Sequence, residues 1–404
     1  MNGSGDEIRR GPADRLSRFA RAVPGSGIRE IAHLVAGRSD IIHLEYGEPD
    51  VNAPPHVVAA AAAAAERGAR YTPTPGPAAL RAALADRLAA AHGLRYTAEQ
   101  VVVTAGGAQG IAAVFATFVE PGDEVLLPDP GFPNFTMNAV LNGAVPVYYP
   151  LDPAVGFRPD VDALGRLLGP RTRLLVVNSP SNPTGAVASV SELEQIVRLA
   201  AANGTVVLSD EVYDELVFDG APFAAAQVDP DWVIGLYSFS KSYAMTGWRL
   251  GYVAAAPEIA ATIARVQEPL VSCTSSLAQA GAMAALEGPP DSVRAMRAAY
   301  RARRDLVVGL LAAAGIPVAV PAGAFYCMLP LAPGVDARSA ALDLVDAGVA
   351  CAPGTAFGRV AASHLRLSLA AGEDVLREGL ARITAWLART DGGRCLPARV
   401  AARS

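Results

Sequence analysis

Ser238-Phe239-Ser240-Lys241, followed by Met245-Thr246-Gly247-Trp248-Arg249-Leu250-Gly251, is the stretch on which the reading of this chain turns. Two apolar runs flank it, Trp232 to Tyr237 and Leu250 to Ala254, and both read as strands. Lys241 is the only lysine among 404 residues; wherever else a fixed positive charge is needed, the chain uses arginine. Arginine keeps its proton in proteins and cannot form an imine, whereas lysine can. A solitary lysine in such a chain is a candidate for amine chemistry, most simply a Schiff base to a carbonyl cofactor. The plain alternative is compositional drift that spared one surface lysine.

Outward from that stretch, short apolar runs recur. Strands are predicted at Val101 to Thr104, Glu124 to Leu127, Ala144 to Tyr149, Arg173 to Asn178 and Thr205 to Ser209. Helical segments such as Gly110 to Phe118 and Val190 to Ala202 lie between most of them. This alternation argues an α/β chain with a mostly parallel sheet covered by helices on both faces. Ligands in such sheets sit at the carboxyl ends of the strands. Gly106-Gly107, Asn178 to Asn182, Asp210 and Ser238 all fall there. Before this region lie a helical Ile28 to Val35, a short strand Ile41 to Leu44 and an alanine-rich helix Val57 to Arg67. Beyond about residue 275 the style changes to long helices (Ser276 to Leu286, Asp291 to Ala314) and short strands (Phe325 to Leu329, Val349 to Ala352, His364 to Ser368). A last helix runs from Gly372 to Arg389, and together these read as a smaller α+β domain. Residues 1 to about 26 read as an arm of low intrinsic order, and the tail after Gly392 as frayed.

A net charge of −5 and dispersed arginines leave no electrostatic footprint for nucleic acid. Arginines cluster only in the arm (Arg9, Arg10, Arg15, Arg18, Arg21) and at Arg301-Ala302-Arg303-Arg304, which reads as the solvated face of a helix. Met1 to Ala20 lacks the apolar segment of a signal peptide, and no run reaches membrane-span length. Cys273, Cys327, Cys351 and Cys395 have no metal-ligand spacing, and the five histidines form no H-x-x-x-H pair. No metal site is expected, and the thiols read as reduced ones of a cytoplasmic protein.

At the strand ends, Gly106-Gly107-Ala108-Gln109 opens a helix whose free N–H groups suit a phosphate, with Ser238 and Arg249 as further anion ligands. Asp210 closes an apolar strand, where a carboxylate pairs well with a protonated ring nitrogen. Tyr213 and Asn182 are donors that could reach a phenolate oxygen, although Asn182-Pro183-Thr184-Gly185 in isolation is better read as a plain turn. Phe132, on the turn Asp129-Pro130-Gly131-Phe132-Pro133, is either a stacking ring or ordinary core.

With Gly47-Glu48-Pro49-Asp50, Tyr71-Thr72-Pro73-Thr74-Pro75-Gly76, Asp210-Glu211-Val212-Tyr213 and His364-Leu365-Arg366-Leu367-Ser368 added, the chain resembles the class I/II aminotransferases of pyridoxal phosphate (PLP) fold type I. The resemblance covers about Ile28 to Arg389, and it is the ordered set of motifs around the lone lysine that makes it specific. It implies that Lys241 carries the cofactor, Asp210 pairs with the pyridine nitrogen, and Asn182 and Tyr213 bond the ring oxygen. Phe132 would stack on the ring, and Gly107, Ala108, Gln109, Ser238 and Arg249 would hold the phosphate. Tyr71 would reach the phosphate of a partner subunit, making the active unit a homodimer. Arg366 would clamp the substrate α-carboxylate beside the Gly47 backbone and Asn182.

The organisation so implied is an arm over 1–27, a small domain from 28–56 and 275–404, and a large cofactor-binding domain over 57–274. The implied reaction moves an amino group between an L-amino acid and a 2-oxo acid in a ping-pong cycle. In one aspartate-using subgroup a lysine stands at the position of Ala108 and pairs with the distal carboxylate. Alanine here, with no other lysine, points to a neutral or aromatic donor. The alternative on the same scaffold is elimination, racemisation or oxidation of an amino acid. A DNA-binding regulator would need a winged-helix segment ahead of Ile28, and 27 residues are too few. An acyl-enzyme hydrolase reading of Ser238-x-x-Lys241 fails, because the chain has no S-D-N and no second lysine for K-T-G.

Overall fold

Strands of Val, Ile and Leu that are apolar on both faces need a cover on each side, and the structure supplies both. It is a computed structural model, and it describes residues 12–390. Arg9, Arg10, the tail after Gly392 and Cys395 lie outside the described residues. The strands in chain order begin with β1 (Ile42–His43), β2 (Val101–Thr104), β3 (Glu124–Asp129), β4 (Val145–Asp152) and β5 (Arg158–Pro159). Next come β6 (Thr172–Asn178), β7 (Val206–Asp210), β8 (Val233–Ser238) and β9 (Gly251–Ala254). The last are β10 (Tyr326–Pro330), β11 (Val349–Ala350), β12 (Ala352–Pro353) and β13 (His364–Ser368).

Eight of them form one sheet in the order β2-β9-β8-β7-β6-β3-β4-β5. The run β8-β7-β6-β3-β4 is parallel throughout, while β9 and β5 run against their neighbours. Alternate residues divide between two cores. Leu175 and Val177 of β6 join Val101 and Val103 on one face; Leu174 and Val176 join Val102 on the other. The chain is therefore an α/β protein with a mostly parallel, helix-covered sheet, as expected. Beside it, β10-β13-β12 form an antiparallel sheet and β1 pairs in parallel with β11. These pack with helices Gly27–Leu34, Asp291–Ala313, Ala337–Asp346 and Glu373–Arg389 around a separate core that includes Ile31, Leu344 and Trp386.

The topology decides where the chemistry gathers. β8 ends at Ser238 and the antiparallel β9 starts at Gly251, with Ser238 and Gly251 paired in register. Lys241 and Arg249 lie on the connection, so both stay at that edge. Thr104 of β2 also pairs with Gly251, and Asn178 pairs with Asp210, which brings the Gly106 turn, Asn178 and Asp210 to the same edge.

Several sequence expectations need correction. The strand predicted over Val349 to Ala352 divides at Cys351, because β11 pairs with β1 while β12 pairs with β13. The arm is structured in part: Arg18–Ala22 is helical, and the Phe19 ring lies where a Cβ on Gly143 would be, 2.6 Å from its Cζ. Arg304 is buried, not solvated; it bonds Asp219, Asp305 and the Pro321 carbonyl. Helices Ala78–His92, Pro133–Leu141 and Pro257–Val271 were not read from the sequence, though Leu80, Leu84 and Leu88 of the first bury a stripe of helical spacing.

Candidate active site

Ser238 caps the short helix Phe239–Ser242, its Oγ accepting from the Ser240 N–H at 3.1 Å. That turn sends Lys241 back across the sheet edge, where its Nζ donates to the Gly47 carbonyl at 2.6 Å. The ammonium lies 6.0 Å from the Tyr213 ring centroid and 5.7 Å from that of Phe325. Burial, with help from the charges of Arg366 and Arg249, brings its pKa down to about 8; Glu48 and Asp210 oppose the shift. A lysine so tuned supplies free base near neutral pH.

Asp210 closes β7 and is buried. Burial raises its pKa to about 7, against a 3.3 Å bond from the Val212 N–H. A carboxylate in that state gains most from a cationic partner such as a protonated ring nitrogen. Tyr213 is buried with its hydroxyl 2.9 Å from that of Tyr326.

Helix Gly106–Phe118 opens at the same edge. Gly106 has φ +75°, and a Cβ there would lie 2.7 Å from Arg249 Nη2, so glycine is required. Arg249 thus stands against the helix start, steadied by a 2.7 Å bond from Nη1 to the Thr246 carbonyl. Gly107, Ala108 and Gln109 occupy the first turn, whose N–H groups have no helical acceptor. Gln109 turns its Oε1 back to the Ala105 N–H at 3.0 Å, and its buried Nε2 has no hydrogen-bond partner. That orphaned donor, the helix start and Arg249 together suit a phosphate.

Arg366, on β13, is buried. Its Nη1 donates to Asn182 Oδ1 at 2.9 Å and its Nη2 to the Glu45 carbonyl. Tyr326 and Phe357 lie 4.4 and 4.8 Å from the guanidinium carbon. Its Nε has no hydrogen-bond partner among the described residues, and burial lowers its pKa. A buried cation without a bonded carboxylate is prepared to receive one.

Phe132 packs edge-on against Phe135 and lines a cleft of about 680 Å³ with Phe357, Arg359, Ser26 and Gly27. Lys241 does not line that cleft. Tyr71 is 94% exposed and belongs to none of the buried clusters among the described residues. Lys241, Gly47, Asp210, Tyr213, Asn182, Ser238 and Arg366 thus lie together as one candidate site, with Arg249 and the helix start of Gly107 and Gln109 beside it.

Tyr326 was missed by the sequence reading, because Phe325-Tyr326-Cys327-Met328-Leu329 reads as plain apolar strand. Its hydroxyl would lie 1.9 Å from a Cβ on Gly47, so Gly47 is glycine for lack of space. We expect Gly47→Ala to displace Tyr326 and lower stability by about 1–3 kcal/mol, read as a drop in Tm.

The family model for aminotransferase class I and II matches residues 39–383. An aspartate/prephenate aminotransferase of Thermus thermophilus is 38% identical over 357 residues, covering 87% of this chain and 92% of that protein. The aromatic-amino-acid aminotransferase 2 of Thermococcus litoralis is 35% identical over 377 residues, with 91% and 97% covered. Among solved structures, an aspartate aminotransferase from Thermus thermophilus with maleate superposes with a TM-score of 0.88 at 36% identity, covering 93% of this chain and 99% of that one. A lone lysine among these groups, on a fold shared with such relatives over nearly its whole length, means that the chain belongs to the class I and II aminotransferases, enzymes of PLP fold type I.

Proposed function

We propose that this aminotransferase uses PLP to move the amino group of a neutral or aromatic L-amino acid to a 2-oxo acid. The observation that carries the reading is that Lys241 and Asp210, at one edge of the large sheet, lie close to Arg366 of β13, each buried or half-buried and each with a pKa shifted by burial. The residues fit the cofactor: Lys241 to carry it, Asp210 for the ring nitrogen, and Tyr213 and Asn182 for the ring oxygen. Gly107, Ala108, Gln109, Ser238 and Arg249 suit its phosphate, and Phe132 a ring face. When bound, the pyridine ring supplies an electron sink for the α-carbon.

The chain's own groups do the rest. Arg366 takes the substrate α-carboxylate, and Asn182, held by Arg366, keeps its amide N–H group for the site. With the cofactor bound, Lys241 Nζ would remove the α-proton and return it, from its place beside the Gly47 carbonyl. A free-base fraction that grows as pH rises through about 8 suits this task. Tyr71, exposed here, suits a hydroxyl offered to a second protomer's phosphate, and we propose a homodimer on that ground. No helix among the described residues is long and apolar enough to cross a membrane. Cys273, Cys327 and Cys351 are free thiols, which supports a cytoplasmic setting.

The relatives named above are aminotransferases, and they give elimination, racemisation or oxidation no support. Alanine rather than lysine at position 108 favours a neutral or aromatic side chain, since an unpaired carboxylate is costly to bury, and Phe132 and Phe357 supply an aromatic wall to the neighbouring cleft. One observation favours an acidic donor instead: Arg359 lines the same cleft. A screen of donors by kcat/KM separates the two. We expect neutral or aromatic amino acids to lead; aspartate at the top, with that advantage lost in Arg359→Ala, would select the second reading.

A further inference from the structure

Glu45 is fully buried and adjoins Arg366, whose Nη2 donates to its backbone carbonyl. Its Oε1 meets His43 Nδ1 at 2.8 Å, while Oε2 has no hydrogen-bond partner, as is also true of Arg366 Nε. His43 reaches the surface, its side chain 40% exposed. Its second nitrogen, Nε2, faces the Arg38 carbonyl at 3.3 Å. Both ring nitrogens therefore face acceptors, and only the doubly protonated ring can donate to both. Contacts run from solvent through His43 to the Glu45 carboxylate, and the Glu45 backbone carbonyl meets Arg366.

We propose that His43 and Glu45 are positioning residues for Arg366, and that binding of a substrate carboxylate at Arg366 is coupled to protonation of His43. This rests on Arg366 being the carboxylate clamp. Before binding, the Glu45 carboxylate meets His43 at one oxygen and shares the buried region with the charge of Arg366. A second carboxylate on Arg366 leaves the buried group with one negative charge too many. The imidazolium of His43 restores the balance at the one point where a proton enters from water.

The other charges near His43 are already engaged. Arg38 pairs with Asp40, and Arg382 pairs with Glu378 while donating to the Gly348 carbonyl. Asp346 acts on Arg38 from the end of its helix. Near Arg366 stand Lys241, whose own pKa Arg366 lowers, and the thiol of Cys351, which burial keeps protonated. In the free protein, burial pulls the His43 pKa down, and the bond and charge of Glu45 outweigh it, so the net shift is upward. Carboxylate binding raises it further. Affinity is therefore full below the pKa of the free protein and weakens as pH rises through that of the complex.

The test uses the holoenzyme and 3-phenylpropionate, a carboxylate with no amine of its own to titrate. His43 is followed by NMR of its imidazole in histidine-labelled protein, its signal assigned by loss in His43→Gln. Saturating probe is expected to raise the His43 midpoint by about one pH unit, and His43→Gln to remove about a tenfold part of the pH dependence of the probe's Kd. Glu45→Gln, if it folds, should leave the His43 midpoint insensitive to the probe. A wild-type midpoint that stays put while the probe binds overturns the coupling alone. An Arg366→Gln variant that keeps the wild-type Kd for the probe removes the clamp, and the coupling falls with it.

Discussion

Lys241→Arg is expected to lose transamination by at least about 10³-fold while remaining folded. The substitution keeps the positive charge, and a guanidinium can still donate to the Gly47 carbonyl that Nζ now meets at 2.6 Å. What it removes is an amine that gives up its proton. The Lys241 pKa lies near 8 because the site is buried and faces Arg366; an arginine there stays charged throughout the working range. It can neither carry a carbonyl cofactor covalently nor take the α-proton, and no second lysine exists to stand in. Steady-state rates with a good donor, with circular dichroism to confirm folding, provide the check. A variant retaining a tenth or so of the wild-type rate would deny Lys241 both roles.

Asp210→Asn separates stability from activity. The raised Asp210 pKa of about 7, caused first by burial, means the folded protein holds this proton at pH values where the unfolded chain has lost it. In the cofactor-free protein, stability from this group therefore declines as pH rises from about 4 to about 7, and stays lower above that. Asparagine has no charge to bury. We expect cofactor-free Asp210→Asn to melt at or above the wild-type temperature at pH 8. The holoenzyme should show the opposite: proton removal slows about 10²- to 10³-fold, because an amide cannot hold a ring N–H⁺ as a carboxylate does. Single-turnover rates at saturating donor provide the measurement. An unchanged rate would separate Asp210 from the cofactor.

The strand ends were the legible part of this chain. Apolar strands followed by glycine, asparagine, aspartate or serine mark where a parallel sheet opens, and the lone lysine singled out one opening as the candidate for amine chemistry. The parts that were not legible depend on contacts between distant segments. Tyr326 sits in an apolar strand and gains its role only because β10 brings its hydroxyl against Gly47. Glu45, which no sequence pattern singles out, is buried by the fold beside Arg366. Arg304 belongs to a run of arginines that looks solvated, and Asp219 and the Pro321 carbonyl bury it. Val349 to Ala352 has the composition of one strand, and its division between two sheets is set by β1 and β13.

The central claim is an amino group passed through Lys241 and its cofactor in two separable halves. Its most direct test mixes the holoenzyme with a single amino acid and no acceptor, and counts products per protomer. The account predicts one equivalent of 2-oxo acid and no free ammonia, after which the reaction halts until a second 2-oxo acid is added. Continuous release of ammonia, or continuous formation of the D-amino acid, without any acceptor would contradict it.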